Sequence, residues 1–348
     1  MTKHFSQQSG MWGGKSGVVR AVEDVSFDIA RGETLGLVGE SGSGKSTTGR
    51  LILRLLEPTS GGVLFDNRDV FSLPRDQMRE LRREMQIVFQ DPYGAFNPRM
   101  TVGNILGEAL ELFGVKTRRE RDAQVARLLE MVQMPTNIGA RYPHEFSGGQ
   151  RQRIGIARAL AVEPKFVVLD EPVSALDVST QAEIVNLLLD LQSRLNLTSL
   201  FISHDLSVVK VLCDRVAVMY AGRILELAPS TSLFKNPLQP YTQELLAAIP
   251  LPDPKRARRE VREKIQVWES TAEKQRVEGA TDADKLVPSG DVKGCPFAGR
   301  CPLTMPVCLA EMPPLKDYSA RLGESAPHLA ACHWVDNNLS AGNGPSQP

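Results

Sequence analysis

The chain has few cysteines, no net charge and no long apolar run. Its 348 residues include five cysteines, too few for a disulfide-built fold of this length. Lysine plus arginine and aspartate plus glutamate number 41 each, so the charge balance predicts no nucleic-acid partner. No apolar run approaches the roughly 18–20 residues that span a bilayer, and residues 1–5 lack the apolar core of a signal peptide. We therefore expect a cytosolic protein, with room for about two domains.

The central feature of the sequence is a glycine-rich segment between an apolar run and a helical pattern. It consists of Gly39, Glu40, Ser41, Gly42, Ser43, Gly44, Lys45, Ser46 and Thr47. Glycines let successive backbone N–H groups turn toward an anion, and the helix that follows adds the positive end of its dipole. Lys45 supplies a positive charge for the outer phosphates, and the Ser46 hydroxyl can ligate Mg²⁺. The segment predicts a nucleotide phosphate site.

Polar residues also follow three other short apolar segments. Gln90 comes after residues 86–89, Asp170 and Glu171 after 166–169, and His204 shortly after 200–202. Because the carboxyl ends of parallel strands share one edge of an open α/β sheet, we expect these side chains to meet the phosphate loop. Taken singly, each has an ordinary explanation as a turn residue, a solvated carboxylate, or a surface or core histidine. Their common placement favours a site.

The pattern between these segments predicts further elements. Residues 18–29 suit a strand pair, and residues 101–135 change to a helical period that indicates a helical insertion. Ser147 can cap the helix after this insertion, and Gln150, three residues on, can complete a capping box. Residues 216–227 predict a hairpin around Ala221-Gly222.

The motifs together resemble those of ABC-type ATPases, in the same order. They are the phosphate loop at 39–47, Gln90, the signature Phe146-Ser147-Gly148-Gly149-Gln150, the strand and acid pair Phe166–Glu171, the Ser174–Asp177 loop and His204. Within that family, the residues from Gln90 to Arg99, Tyr142–Glu145 and Pro240–Thr242 resemble the ATPase subunits of oligopeptide and dipeptide (peptide/nickel) importers. The resemblance covers roughly residues 18–250.

This resemblance implies an α/β fold of the P-loop NTPase class. It implies a mixed central sheet, a helical subdomain over about 101–160 that carries the signature, and an antiparallel β subdomain. With the composition, it predicts a poorly ordered segment at 1–17, an ATPase domain at 18–250, a charged linker at 251–287, a small cysteine-containing C-terminal domain at 288–335 and a disordered tail at 336–348.

The resemblance also implies a role for each site residue. Lys45, Gln90, Glu171 and His204 form the catalytic set, with Glu171 as the general base and His204 bonded to the γ-phosphate. Ser46, Gln90 and Asp170 hold Mg²⁺. Phe5, with Trp12 as a second choice, matches the aromatic residue that stacks on adenine.

The family implies that the signature acts on a second subunit. Ser147, Gly148, Gly149, Gln150 and Asp177 would then complete the ATP site of a head-to-tail partner, either an identical chain or a different one. The further implied partners are two membrane-spanning permease subunits and, indirectly, an extracytoplasmic substrate-binding protein. This places the chain at the cytoplasmic face of the cell membrane. Two other functions stay open: a soluble ABC ATPase acting in translation or repair, and a metal-binding regulatory protein with a vestigial ATPase.

Cysteines cluster near the end of the chain as Cys295, Cys301, Cys308 and Cys332. Disulfides fit poorly with a reducing cytosol, and unliganded packed thiols are a further alternative. Zinc usually needs closer pairs of ligands, although His328 or His333 could replace one thiolate. Because this tail resembles that of peptide-importer ATPases, which are associated with an iron–sulfur cluster, we predict a [4Fe–4S] centre on these four cysteines, remote from hydrolysis and without Cys213.

Overall fold

The computed structural model describes residues 1–6, 18–91, 94, 96–249 and 293–340. The predicted linker at 251–287 lies outside them, as do Trp12 and the residues 92, 93 and 95 of the importer-like segment. The strands are β1 Lys3–Ser6, β2 Val18–Val22, β3 Thr34–Val38, β4 Leu64–Phe65, β5 Arg68–Asp69, β6 Met85–Val88, β7 Phe166–Asp170, β8 Thr198–Ser203, β9 Arg215–Tyr220, β10 Arg223–Pro229, β11 Lys316–Asp317 and β12 Leu329–Ala330.

The helices lie between and after these strands. They are α1 Lys45–Ile52, α2 Arg75–Glu84, α3 Val102–Leu112, α4 Arg118–Met131, α5 Gly148–Leu160, α6 Val178–Leu195, α7 Leu206–Leu212, α8 Ser230–Lys235, α9 Pro240–Ala247, α10 Pro306–Ala310, α11 Ser319–Leu322 and α12 His333–Ser340. Within the described ranges, none of them combines the length and the apolar character needed to cross a membrane.

The main sheet is mixed, as predicted. Its strand order is β11-β12-β10-β9-β3-β8-β7-β6. The strands from β9 to β6 pair in parallel, and those from β9 to β11 pair antiparallel. Strands β3 and β7 are buried along their whole length, which explains their near-continuous apolar sequence. The parallel strands β3, β8, β7 and β6 are consecutive neighbours, so the loops that follow them lie side by side.

The N-terminal residues differ from the prediction. Residues 1–6 are ordered, because β1 pairs antiparallel with β2 and the Thr2 N–H donates to the Ser60 carbonyl at 2.9 Å. The strand pair predicted within residues 18–29 is also wrong: β2 takes β1 as its partner, and residues 23–29 form no strand. The Val25 N–H instead donates to the Met1 carbonyl at 3.0 Å. Residues 7–17 lie outside the described part of the chain.

The helical insertion is present and consists of α3 and α4, followed by α5. Thr101 caps α3 and Thr117 caps α4, each accepting a backbone N–H with its side chain. The apolar face of α3 that the sequence predicts is buried at Val102, Ile105, Leu106 and Leu110. The insertion therefore packs as a unit beside the parallel end of the sheet.

The C-terminal segment 293–340 joins the main sheet through β12, which pairs with β10, and through β11, which pairs with β12. The boundary predicted at 335 between the C-terminal domain and a disordered tail is wrong, because α12 runs through the start of the predicted tail to Ser340. Residues 341–348 lie outside the described residues.

A buried ion pair anchors this segment to the sheet. His328 Nε2 lies 2.8 Å from Glu226 Oε1, and neither side chain is exposed to solvent. Glu226 also accepts the N–H groups of Leu238 at 2.8 Å and Gln239 at 3.0 Å, while His328 Nδ1 lies 3.2 Å from Glu324. Burial lowers the pKa of His328, but the hydrogen bonds and charges of Glu226 and Glu324 together raise it more, so the pKa lies above its ordinary value of 6.5.

We expect His328→Ala to destabilise the protein by about 3–5 kcal/mol, because it leaves the buried Glu226 charge uncompensated. Since the folded pKa is raised, the contribution of the pair is complete below about pH 6.5 and is lost as the pH rises through the folded pKa. Urea unfolding of both proteins between pH 6 and 9 measures the difference. The control is His144→Ala, which removes an exposed histidine. Equal stability of the His328 and His144 variants would contradict the role of the pair.

Candidate ATP site

The phosphate loop leaves the buried strand β3 and ends where α1 begins at Lys45. Gly39 and Gly44 have φ angles of 151° and 106°. A Cβ atom on Gly39 would lie 2.0 Å from the Met219 carbonyl oxygen, and one on Gly44 would lie 2.1 Å from that of Ala21. Both positions therefore require glycine, for the backbone angle and for the close approach of β2 and β9.

Lys45 is buried inside its own loop. Its Nζ donates to the carbonyl oxygens of Gly39 and Glu40, both at 2.8 Å, and only 4% of the residue is exposed. Burial lowers the pKa of Lys45, and the charges of Glu171, Asp170 and Glu40 oppose that shift. The ammonium group therefore holds the loop closed and is surrounded by carboxylates at the position where phosphates would bind.

The acid pair lies directly opposite this loop. Ser46 Oγ donates to Asp170 Oδ1 at 2.7 Å, and Asp170 is 5% exposed. Burial raises the pKa of Asp170, while the Ser46 hydrogen bond and the charge of Arg50 oppose the rise. A hydroxyl and a carboxylate side by side are the hard oxygen ligands that suit Mg²⁺. Ser46 and Asp170 are thus the residues that would hold the ion.

Glu171 contacts two of the other predicted catalytic residues. Its Oε2 lies 3.2 Å from Gln90 Nε2 and 3.3 Å from His204 Nδ1. Its own N–H donates to the Ile202 carbonyl at 3.0 Å, with φ at +49°, a left-handed angle that few side-chain-bearing residues adopt. Strain of this kind costs about 1–3 kcal/mol. Side chains from the loops after β6, β7 and β8 therefore converge beside the phosphate loop.

The signature residues form a second helix N-terminus. Ser147 accepts the Gln150 N–H at 3.3 Å and donates its own N–H to Gln150 Oε1 at 3.0 Å, which is the predicted capping box. A Cβ on Gly149 would lie 2.1 Å from Thr180 Cγ2, so α5 and α6 begin in contact. Asp177 caps α6 by accepting the Thr180 N–H at 3.0 Å. Hydrogen bonds from Ser179 and Thr180 hold the pKa of Asp177 well below its usual range.

Phe5 lies on β1, opposite Val19 of β2, and is 38% exposed. Lys3 Nζ lies 5.0 Å from the centre of its ring. Since Ala21 of the same strand β2 touches the phosphate loop at Gly44, the exposed ring stands on the strand pair that borders the site. Its role as the adenine-stacking residue stays a prediction.

The sequence reasoning missed two residues that contact the phosphate loop. The Glu40 N–H donates to the hydroxyl oxygen of Tyr241 at 2.9 Å, and Tyr241 is fully buried. Arg300 donates to both carboxylate oxygens of Glu40, at 2.9 and 3.0 Å. The Pro240-Tyr241-Thr242 resemblance flagged the tyrosine without a role, and no local pattern pointed to Arg300.

The four C-terminal cysteines line one cavity, together with His333 and Trp334 among others. All are free thiols, and Cys213 lies elsewhere, in the core beside Gly36. Burial raises the pKa of Cys295 to about 11 and that of Cys332 to about 12. Over the described ranges, no group of three or more His, Cys, Asp or Glu side chains is arranged to hold a single metal ion.

The two histidines considered as zinc ligands have other partners. Both ring nitrogens of His328 face carboxylates, those of Glu226 and Glu324, and His333 Nε2 lies 3.1 Å from the Glu311 carbonyl oxygen. Arg300, next to Cys301, bonds to Glu40 of the phosphate loop, so the segment that carries the cysteines contacts the loop, while the remoteness of the cysteines from hydrolysis stays a prediction.

Comparison with known proteins gives two family matches on the chain. Residues 22–174 match the ABC transporter model, and residues 225–308 match that of the oligopeptide/dipeptide transporter C-terminal region. The chain is 58% identical over 250 residues to the oligopeptide transport ATP-binding protein OppF of Bacillus subtilis, covering 71% of this chain and 82% of OppF. It is 46% identical over 340 residues to AppF of the same organism, covering 95% and 94%.

Solved structures agree with these matches. A dimeric ATP-binding cassette in a post-hydrolysis state, bound to ADP and Pi, is 30% identical, with a TM-score of 0.58 over 66% of this chain and 96% of that one. The phosphate loop, acid pair and signature described above are thus set in a shared architecture. The chain belongs to the ATP-hydrolysing subunits of ABC transporters, in the oligopeptide/dipeptide transporter group.

Proposed function

We propose that this chain powers the import of peptides, or of related small solutes, through a membrane ABC transporter. The observation that carries the proposal is the presence of an ABC cassette and an oligopeptide/dipeptide transporter C-terminal region on one chain. OppF and AppF, which match most of the chain, are named oligopeptide transport ATP-binding proteins. In this assembly the chain sits at the cytoplasmic face of the membrane under two permease subunits, and an extracytoplasmic binding protein delivers the substrate.

An apolar groove beside the helical insertion supports a permease partner. It lies between the end of β6 and the helices α3 and α5, and its lining includes Phe89, Phe96, Ala109, Leu112, Phe113 and Val162. Leu112 is 58% exposed, an uncommon position for so large an apolar side chain. The groove also touches the segment that carries Gln90, so a permease helix seated there could pull on the catalytic glutamine.

Co-expression with candidate permease subunits of a peptide importer tests this function. We expect the chain to sediment with membranes only when the permease subunits are present, and the reconstituted complex to accumulate peptide in vesicles when ATP is supplied. A chain that stays in the supernatant with unchanged ATPase activity would support the soluble ABC ATPase instead.

ATP hydrolysis is proposed to need a head-to-tail dimer. The capping-box end of α5 offers backbone N–H groups to an anion, while the contacts described for Gly148 and Gly149 are to Leu176 and Thr180. The phosphate loop in the same chain is enclosed by Ala21, Met219 and Tyr241 instead. A second subunit would bring its signature to this loop, so two nucleotides would be buried between the chains.

Mixing subunits tests the dimer. Ser147→Arg should inactivate the ATP site of the partner that faces it, because the long cation replaces the cap at the anion-binding end of α5. A mixed dimer with one mutant signature should therefore keep one working site, and its ATPase rate should fall by about half or more. The control is Thr117→Arg, which changes the cap of α4 in the same subdomain. Full activity of a monomer at high dilution would contradict the mechanism.

We further propose a [4Fe–4S] cluster in the cysteine-lined cavity, held by Cys295, Cys301, Cys308 and Cys332. The four thiols share one cavity, and backbone N–H groups that bond to Cys295, Cys301 and Cys332 oppose the rise in thiol pKa that burial causes. A zinc ion needs all four sulfurs about 2.3 Å from one centre, whereas a cluster binds each thiolate through a different iron and so accepts a wider spacing. When bound, the cluster would supply a structural crosslink.

Purification without oxygen tests the cluster. The protein should be brown, with broad visible absorbance that disappears in Cys301→Ser. Cys213→Ser should keep the colour, because this buried thiol packs beside Gly36 away from the cavity. If the anaerobic protein is colourless and carries one zinc ion per chain, the cysteines hold zinc and not a cluster.

A further inference from the structure

The segment from Cys295 to Cys301 packs beside the ATP site through a cluster of three aromatic side chains. It contributes Phe297 to this cluster. Phe297 is 1% exposed, and the centre of its ring lies 5.3 Å from that of Tyr241 and 5.5 Å from that of Tyr220. Tyr220 and Tyr241 meet edge to face at 4.6 Å. This aromatic cluster fixes the segment between Cys295 and Cys301 beside the phosphate loop.

Arg300 reaches the loop from that segment. Its two terminal nitrogens donate to the two carboxylate oxygens of Glu40, at 2.9 and 3.0 Å, and one of them also donates to Glu244. The guanidinium lies 5.6 Å from the ring of Phe297 and 5.8 Å from that of Tyr220. Two-pronged geometry and aromatic stacking make this a defined contact although 41% of the arginine side chain is exposed.

Glu40 is therefore held at three points by three other residues. Its N–H donates to the Tyr241 hydroxyl oxygen at 2.9 Å, and its carbonyl oxygen accepts from Lys45 Nζ at 2.8 Å. Its carboxylate accepts hydrogen bonds from Arg300. Because the backbone of Glu40 is part of the phosphate cradle, its orientation sets the direction of neighbouring loop N–H groups.

The carboxylate of Glu40 is also negatively charged, like the phosphates of ATP. A negative side chain on a loop that binds polyphosphate repels the ligand unless a cation offsets it, and Lys45 already faces Asp170, Glu171 and Glu40. We propose that Arg300 is a positioning residue for ATP binding, which neutralises Glu40 and orients the phosphate loop from the cysteine-containing segment. This inference rests on the ATP site alone, not on the proposed peptide transport.

The test separates nucleotide affinity from turnover. Arg300→Ala should raise the KM for ATP and the Kd of a fluorescent ATP analogue about threefold to tenfold, the size of a partly exposed two-pronged ion pair, with kcat changed less than about twofold. Arg300→Lys keeps the charge but loses the fork, so its KM should fall between those of wild type and Arg300→Ala.

The proposed charge compensation allows a second, more specific test. Adding Glu40→Gln to Arg300→Ala should lower the KM again, to about that of Glu40→Gln alone, because the neutral side chain no longer needs an arginine. The control is Arg321→Ala, an exposed arginine of the same segment stacked on Tyr318, which should bind ATP as wild type does. Wild-type affinity in Arg300→Ala overturns the proposal, as does a double variant that binds as weakly as Arg300→Ala. If Arg300→Ala does not fold, the KM values of Arg300→Lys and of the double variant still test the proposal.

Discussion

Replacing Glu171 by glutamine should abolish most ATP turnover and leave ATP binding intact. Glu171 is the acceptor at the centre of the site, within 3.2 Å of Gln90 and 3.3 Å of His204, while Ser46 and Asp170 provide the oxygens for Mg²⁺. Removing a general base costs about 10²–10⁴-fold in rate, and an isosteric amide keeps the packing. Steady-state ATPase assays and nucleotide titrations of the same preparations measure the two effects.

The chain offers a matched control for this change in Glu163→Gln. Glu163 is an exposed glutamate near the other end of β7, and its φ of 52° is close to the 49° of Glu171. The Glu163 variant should keep wild-type turnover. We also expect the Glu171 variant to accumulate as an ATP-bound dimer, visible by gel filtration. Wild-type turnover in Glu171→Gln would show that another group accepts the proton.

Replacing Lys45 by alanine should weaken the binding of ATP. The ammonium group is buried and bonds to the carbonyl oxygens of Gly39 and Glu40, so its loss removes both the charge that faces the phosphates and a brace of the loop. Hydrogen bonds to charged groups contribute about 1.5–3 kcal/mol, so ATP affinity should fall by about tenfold to a hundredfold. Equilibrium titration with a fluorescent ATP analogue gives the Kd directly.

The control for this variant is Lys210→Ala, which removes an exposed lysine that lies over the ring of Phe234. It should bind ATP as wild type does. Together, Lys45→Ala and Glu171→Gln separate two roles: Lys45→Ala should lose affinity for ATP, whereas Glu171→Gln should keep it. An unchanged Kd in Lys45→Ala would remove this lysine from the phosphate site.

Local sequence patterns predicted the parts of the site that depend on a few consecutive residues. Positive φ at Gly39 and Gly44, the capping box from Ser147 to Gln150 and the buried run that ends at Asp170 each arise from short-range sterics and hydrogen bonds. The convergence of Gln90, Glu171 and His204 also followed from sequence, because the carboxyl ends of parallel strands share one edge.

The order of the N-terminal residues and the C-terminal strand pairing, which the sequence did not predict, have a different cause. Strand β1 and the C-terminal strands β11 and β12 are short, with two to four residues each, and carry little periodic pattern. They form because an edge is available to them: β2 for β1, and β10 for β12. A strand that owes its existence to its neighbour cannot be found from its own residues.

By itself, the sequence determined the phosphate loop, the acid pair and the family, because each depends on residue types at short spacing. Only the tertiary structure joined the C-terminal segment to this site. Glu40 meets Tyr241 across 201 positions and Arg300 across 260, and Glu226 meets His328 across 102. The contact between Glu226 and His328 exists because the sheet places β12 beside β10, and the order of strands in a sheet is set by packing of the whole chain.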